Sequence, residues 1–240
     1  MIIEILTLFP EGIGAILNES MLKRAVAAGS VEFDLIQLRD YATDKHSTTD
    51  DRPLGGGPGM VLKAEPIAKA LADLREKRPE PKPHVILTSP QGRVLTQDIA
   101  EELTQRERLT FLCGHYKGVD QRAIDRFVDE ELSIGDYILT GGELPAAVIV
   151  DSVVRLLPGV LGDPDSAAGD SFSSGLLDHP HYTQPAEWDG ETAPDVLTSG
   201  HHANVAKWRL EQRIVRTKRL RPDLYQRWLD RQQDGSGENK

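Results

Sequence analysis

Ser133-Ile134-Gly135-Asp136-Tyr137-Ile138-Leu139-Thr140-Gly141-Gly142-Glu143-Leu144-Pro145 is the stretch on which the rest of the chain turns. Apolar Ile134, Ile138 and Leu139 are set between glycines that expose bare N–H and C=O groups to anything that approaches. A glycine pair followed by Pro145 suits the opening of a helix. Two readings are open for this segment alone: a binding loop built from main chain, or a tight strand-to-helix turn. Behind it, Leu144, Ala147, Val148, Val150, Val153, Val154 and Leu157 predict a strongly packed helix that carries Asp151 and Arg155 and stops at Pro158-Gly159.

Upstream, two more strands run into glycine-bearing loops. Val85 to Thr88 is followed by Ser89-Pro90-Gln91-Gly92, and Leu109 to Cys113 by Gly114-His115-Tyr116-Lys117-Gly118-Val119-Asp120. Between them Leu95 and Thr96 introduce a helix, with Thr96 as N-cap. Ligands of open α/β sheets gather outside the carboxyl ends of the strands, so the three loops are expected to converge on one site. Near the start, Ile2 to Phe9 reads as a buried strand, followed by apolar residues at helical spacing from Ile13 to Val26. Gly12-Ile13-Gly14 supplies two glycines of a dinucleotide fingerprint, but Leu17 occupies the third place, where a side chain obstructs close packing. Gly12 is assigned to the turn after Pro10.

Val31 to Leu38 predicts a second strand and Ala64 to Arg78 a helix. The polar loop between them ends in Asp50-Asp51-Arg52-Pro53-Leu54-Gly55-Gly56-Gly57-Pro58-Gly59-Met60. Prolines that limit φ and glycines that permit unusual values make this a shaped loop. It lacks the lysine and hydroxyl of a phosphate-binding loop, which argues against a nucleoside triphosphate.

A chain of 240 residues has room for one large domain or two modest ones. The single cysteine, Cys113, excludes an internal disulfide, and no apolar run reaches membrane-spanning length, so a cytoplasmic setting is expected. The net charge of −10 argues against indiscriminate nucleic-acid binding. From Lys207 to Arg231, however, basic residues far outnumber Glu211, Asp223 and Asp230, which keeps RNA in play. Residues 162–175 are rich in Asp, Ser, Ala and Gly and mark the expected domain boundary. Beyond them, helices are expected around Val205 to Leu220 and Pro222 to Leu229, then a frayed tail from Gln232. His179, His181, His201 and His202 have no accompanying cysteine and match no standard zinc spacing.

Taken together, Thr7-Leu8-Phe9-Pro10-Glu11, Arg39-Asp40-Tyr41-Ala42, Asp50 through Met60, Ser89 through Gly92, Ser133 through Pro145, Asp170-Ser171-Phe172 and Gly175 through Tyr182 resemble the bacterial tRNA (guanine-N-1)-methyltransferases of the TrmD type, in the SPOUT superfamily. The resemblance implies an α/β sheet with a deep trefoil knot from about Val85 to Leu144, plus a small, mostly helical C-terminal domain. The implied division is a knotted methyltransferase domain 1–161, a flexible linker 162–175 and a helical tRNA-binding domain 176–240. It further implies a homodimer with active sites at the subunit interface and a linker that orders when RNA arrives. S-adenosylmethionine would be surrounded by Leu87, Ser89, Pro90, Gly114, Tyr116, Ser133, Ile134, Gly135, Tyr137, Leu139, Gly141 and Gly142. Gly59, Lys207, Arg209, Arg213 and Arg216 would contact tRNA. Magnesium is associated with activity in the family, with no ligand set legible here.

Guanine N-1 carries a proton and its lone pair is delocalised, so methylation there requires a base, and the charge that grows on the 6-oxo group suits a guanidinium. By resemblance these roles fall to Asp170 and Arg155, with Asp163 and Asp165 adding like charge to the same segment. The family commonly has arginine and glutamate where this chain has His115 and Lys117, and Asn or Asp in place of His201. Lys117 reverses a charge beside the presumed cofactor loop. Two alternatives therefore stand beside methylation of guanosine 37: a knotted RNA-binding module without catalysis, and a SPOUT methyltransferase acting on another nucleotide.

Overall fold

The computed structural model describes residues 1–162 and 169–234. Two compact units divide the chain, Met1–Gly162 and Asp163–Lys240.

The first unit is a five-stranded parallel sheet between layers of helices. Its strands are β1 (Ile2–Thr7), β2 (Glu32–Gln37), β5 (His84–Val94), β6 (Arg108–Cys113) and β7 (Glu130–Ser133), in the order β2-β1-β6-β5-β7. β3 (Asp50–Asp51) and β4 (Val61–Leu62) form a separate antiparallel ladder. Alternation along the strands assigns the two faces. Ile3, Ile5, Ile86, Leu109, Phe111 and Cys113 pack on the side of α1 (Pro10–Leu17), α2 (Ser20–Ala27), α4 (Gln97–Thr104) and α6 (Glu143–Val154). Leu6, Val85, Leu87 and Leu112 pack with α3 (Ala64–Lys77) and α5 (Gln121–Phe127) on the other.

Within that second face lies a buried ion pair. Arg108 donates to Glu4 at 2.7 and 3.1 Å, and its remaining N–H groups reach the carbonyls of Leu74, Pro81 and Arg78, while Thr110 donates to Glu4 at 2.6 Å. Every charged atom of this cluster has a partner, which is what makes a charge at 1 % exposure tolerable.

Several sequence expectations are corrected. The apolar run from Ile13 to Val26 is two helices, interrupted at Asn18-Glu19, and Gly12 lies inside α1 rather than in a turn. The strand expected to end at Thr88 runs on to Val94. Leu132 pairs with both Thr88 and Arg93, so Ser89 to Gly92 bulge out of a strand that then resumes. The helix expected to run to Leu157 ends at Val154, and its Leu144 and Val148 are 55 % and 45 % exposed rather than packed. Thr96 does cap α4, its hydroxyl accepting from the Ile99 N–H at 3.4 Å.

The second unit contains a short hairpin, β8 (Glu187–Trp188) and β9 (Glu191–Thr192), then α7 (Asp195–Thr198), α8 (His202–Leu220) and α9 (Pro222–Asp234). The last helix thus reaches past the expected start of the tail at Gln232. Asp163 and Asp165, with the rest of 163–168 in the expected linker, lie outside the described residues. Its final residues are tied down locally: Phe172 N–H donates to the Leu176 carbonyl at 2.8 Å, and Asp178 N–H to Ser171 Oγ at 2.9 Å. Among the described residues no helix is long and apolar enough to cross a membrane.

Candidate active site

Of the three loops expected to converge, those after β6 and β7 meet each other beside Thr88 of β5, and the third, Ser89 to Gly92, is the bulge that starts there, with Gly92 packed on the Glu131–Leu132 backbone. Gly142 N–H donates to the Gly114 carbonyl at 2.8 Å, and His115 pairs with Gly141 as an isolated antiparallel bridge. A side chain at 142 has no room. Its first carbon would run into Thr88 Oγ1 and come within 2.7 Å of Gly114 N and 2.8 Å of Cys113 Cα. Gly141 is equally confined, by the His115 imidazole and the Glu143 carboxylate. The glycine pair is therefore required by close approach of three chain segments rather than by an unusual φ, since Gly142 has φ −84°.

The loop after β7 is held by its own side chains. Ser133 Oγ donates to the Gly135 carbonyl at 3.1 Å and lies 3.2 Å from the Gly135 N–H, and Tyr137 OH reaches the Ile134 carbonyl at 3.2 Å. Gly135 has φ 143°, in territory that disfavours a side chain, with the Tyr137 ring against it. This leaves Tyr137, Ile138 and Leu139 at 55, 79 and 40 % exposure around the glycines, an apolar rim over a main-chain floor. Of the other residues assigned to the cofactor, Leu87 and Ser133 are buried beneath the loops, Ser89 and Pro90 belong to the β5 bulge, and Tyr116 is half exposed at φ 60°.

A polar relay absent from the sequence reading underlies this floor. Thr7 donates to Glu143 Oε1 at 2.6 Å and accepts from the Phe9 N–H at 2.9 Å, while Glu143 Oε2 lies 3.4 Å from His115 Nε2. The His115 ring in turn sits between Phe9 and Tyr116, with centroids 5.2 and 5.4 Å away. Glu143 opens α6 and suits the positive end of the helix dipole. No local motif marks Thr7 as its partner; the start of α6 reaches it because Gly142 docks on Gly114 after β6, the strand that pairs with β1. Cys113 next to this floor is a core thiol: burial, with the Glu143 charge adding to it, pushes its pKa well above the ordinary value.

The shaped loop before β4 meets the loop after β6. Lys117 N–H donates to the Met60 carbonyl at 3.0 Å, and the Lys117 stem lies across Gly59, whose φ of 90° suits glycine. Lys117 thus covers one residue assigned to tRNA. Arg155 is the half-buried C-cap of α6. In the second unit Asp170 is half-buried, Lys207 and Arg209 are exposed on α8, and Arg216 is half-buried. Arg213 is half-buried and donates to the Leu177 carbonyl at 3.3 Å and Ser174 Oγ at 2.8 Å.

Comparison with known proteins fits this architecture. Residues 1–227 match the family described as tRNA (Guanine-1)-methyltransferase TrmD. The chain is 54 % identical over 224 residues to the tRNA (guanine-N(1)-)-methyltransferase of Anoxybacillus flavithermus, covering 93 % of this chain and 91 % of that one. It is 53 % identical over 227 residues to the enzyme of the same name from Brevibacillus brevis, with 95 and 92 % coverage. For the Ruminiclostridium cellulolyticum enzyme the figures are 50 % over 222 residues, with 92 and 95 % coverage. A five-stranded parallel sheet with helical C-terminal extension, main-chain loops gathered at its carboxyl edge, and identity at this level over almost the whole chain make this protein a member of the TrmD family of tRNA (guanine-N1)-methyltransferases.

Proposed function

We propose that the chain transfers the methyl group of S-adenosylmethionine to N-1 of guanosine 37 in tRNA. The observation that carries this reading is the closure of Gly114 on Gly142 beneath Tyr116, Tyr137, Ile138 and Leu139. Such a floor offers N–H and C=O groups for the polar edge of an adenosyl group and an apolar rim for its faces, so the residues fit the donor. When bound, the sulfonium supplies an electrophilic methyl and leaves as a neutral thioether. The protein's own contribution is then alignment for in-line attack, removal of the N-1 proton by Asp170, and donors from Arg155 toward the charge growing on the 6-oxo group. Lys207, Arg209, Arg213 and Arg216 supply phosphate contacts and Gly59 a backbone contact while the base is drawn from its stack, with Arg213 also bracing the turn at Ser174.

Magnesium has no step in this scheme. Glu143, at the start of α6, accepts from Thr7 and faces His115. The finer architecture belongs to the same proposal: a trefoil knot threaded between Val85 and Leu144, a catalytic domain 1–161, a linker 162–175, a tRNA-binding domain 176–240, and a homodimer whose active sites lie at the interface. Leu144 and Val148, one helical turn apart and both exposed, support a partner surface on α6 beside the apolar loop.

The test is methyl transfer to tRNA transcripts carrying guanine or adenine at position 37, with wild type and Asp170→Ala. Transfer to the guanine transcript alone, falling about 10²–10⁴-fold in the variant, is expected. Equal transfer to both transcripts redirects the enzyme to another nucleotide, and RNA binding with no transfer by wild type leaves a binding module. Undiminished transfer by Asp170→Ala removes the base assignment.

A further inference from the structure

We propose that Asp178, His179 and His181 form a binding site for one divalent metal ion of borderline softness, such as zinc, nickel or cobalt, with the remaining coordination positions open to water. The ligand atoms of these three side chains lie within 4.8 Å of one another, and they are the one such cluster among the described residues. The four-histidine grouping weighed from sequence does not form; a carboxylate completes the set instead. Two imidazoles and one carboxylate suit zinc and its neighbours, whereas magnesium and calcium favour all-oxygen surroundings.

The orientation of His179 is the second, independent reason. Its Nδ1 is 3.0 Å from the Pro180 carbonyl oxygen. A carbonyl only accepts, so Nδ1 carries the proton and, in the neutral ring, Nε2 presents a lone pair. That lone pair faces Asp178 Oδ1 at 3.8 Å, beyond hydrogen-bond reach and with an acceptor on each side. One cation between them gives the Nε2 lone pair a partner and takes the second lone pair of Oδ1, which also accepts from the His179 backbone N–H, since metal bonds of about 2.0–2.2 Å put neighbouring ligand atoms a little over 3 Å apart. Donation of the distal ring N–H to a backbone carbonyl is the outer-shell arrangement that fixes metal-ligating histidines.

The other two ligands meet at a single proton. His181 Nε2 donates to Asp178 Oδ2 at 2.8 Å, so a bound ion would take the place of that proton, and the His179 and His181 rings are 4.3 Å apart. Asp178 is steered by the His179 N–H, which donates to Oδ1 at 2.7 Å, and Trp208 lies edge-on to His179 at 6.2 Å. His179 and Asp178 are 12 and 25 % exposed and His181 70 %, so one side is walled and the other admits the ion and its waters. Because Asp178 N–H also donates to Ser171 Oγ, a bound ion would brace the turn that follows Asp170.

The full chain, freed of metal with chelator, is titrated with Zn²⁺ by calorimetry and with Co²⁺ by absorbance and tryptophan fluorescence. One equivalent is expected to bind, with Co²⁺ quenching fluorescence in wild type and much less in Trp208→Phe. His179→Ala and His181→Ala should each weaken binding at least about tenfold, and His201→Ala/His202→Ala should not. Circular dichroism of each metal-free variant checks that it folds. No heat with Zn²⁺, or one-to-one binding unchanged in the folded His179→Ala/His181→Ala protein, overturns the proposal. Neither measurement involves RNA or methyl transfer, so the result stands apart from the catalytic reading.

Discussion

Replacing Gly142 by alanine is the most direct probe of the loop junction. Its backbone, at φ −84° and ψ −5°, accepts alanine without strain, so whatever the substitution costs is steric. The new methyl would overlap Thr88 Oγ1 and press to within 2.7 Å of Gly114 N and 2.8 Å of Cys113 Cα. Two of these three neighbours are backbone and cannot rotate away, so Gly142 and Gly114 must separate and their 2.8 Å hydrogen bond must lengthen. Overpacking of this kind costs about 1–3 kcal/mol. At about 2–4 °C per kcal/mol for a chain of this size, the apparent melting temperature should fall by roughly 2–12 °C. Donor binding should weaken in the same variant, because the junction is the proposed floor of its site. Gly12→Ala is the control: apart from its own helix backbone and chain neighbours nothing lies within 4 Å of the new methyl, and removing a glycine from inside α1 should stabilise by about 0.5–1 kcal/mol. Scanning calorimetry with and without S-adenosylmethionine measures both effects. Wild-type melting and wild-type affinity in Gly142→Ala would refute the claim that three segments close at this point.

Arg108→Ala should destabilise the first unit by about 3–5 kcal/mol in urea unfolding, since it leaves Glu4 buried without its counter-charge, while Glu4→Leu/Arg108→Met should recover part of the loss. Tyr41 is pushed up to about 12 by burial and by donating to Asp73 at 2.5 Å. A raised pKa favours the protonated folded form, so this contribution is complete below the ordinary tyrosine range of about 10 and disappears as pH rises to about 12. Tyr41→Phe should flatten that alkaline decline, and an unchanged pH profile would dissociate the bond from stability. Cys113, buried and with its pKa raised, should be alkylated only as fast as the protein unfolds; rapid labelling of native protein would contradict its placement under the loops.

What the sequence by itself determined is what short-range chemistry encodes. Alternation and helical spacing located most strands and helices of the first unit, Thr96 announced its cap, and the glycine pair at 141–142 identified a place where backbone must come close. Asp189-Gly190, with φ 50° and 80°, is encoded just as locally and turns the β8–β9 hairpin as such pairs do. The bulge at Ser89 to Gly92 was not legible, because it exists only as a shift against β7. Tertiary structure alone decided the partners that are distant in sequence. Glu4 meets Arg108 across 104 positions because β1 pairs with β6, and Thr7 meets Glu143 across 136 because the start of α6 docks on the loop after β6. The same holds for Arg213, whose Nε and one terminal nitrogen donate to the Leu177 carbonyl and Ser174 Oγ, partners 36 and 39 positions away. Periodicity reports which way a side chain faces, whereas its hydrogen-bonding partner depends on which segments the sheet order and helix packing bring together.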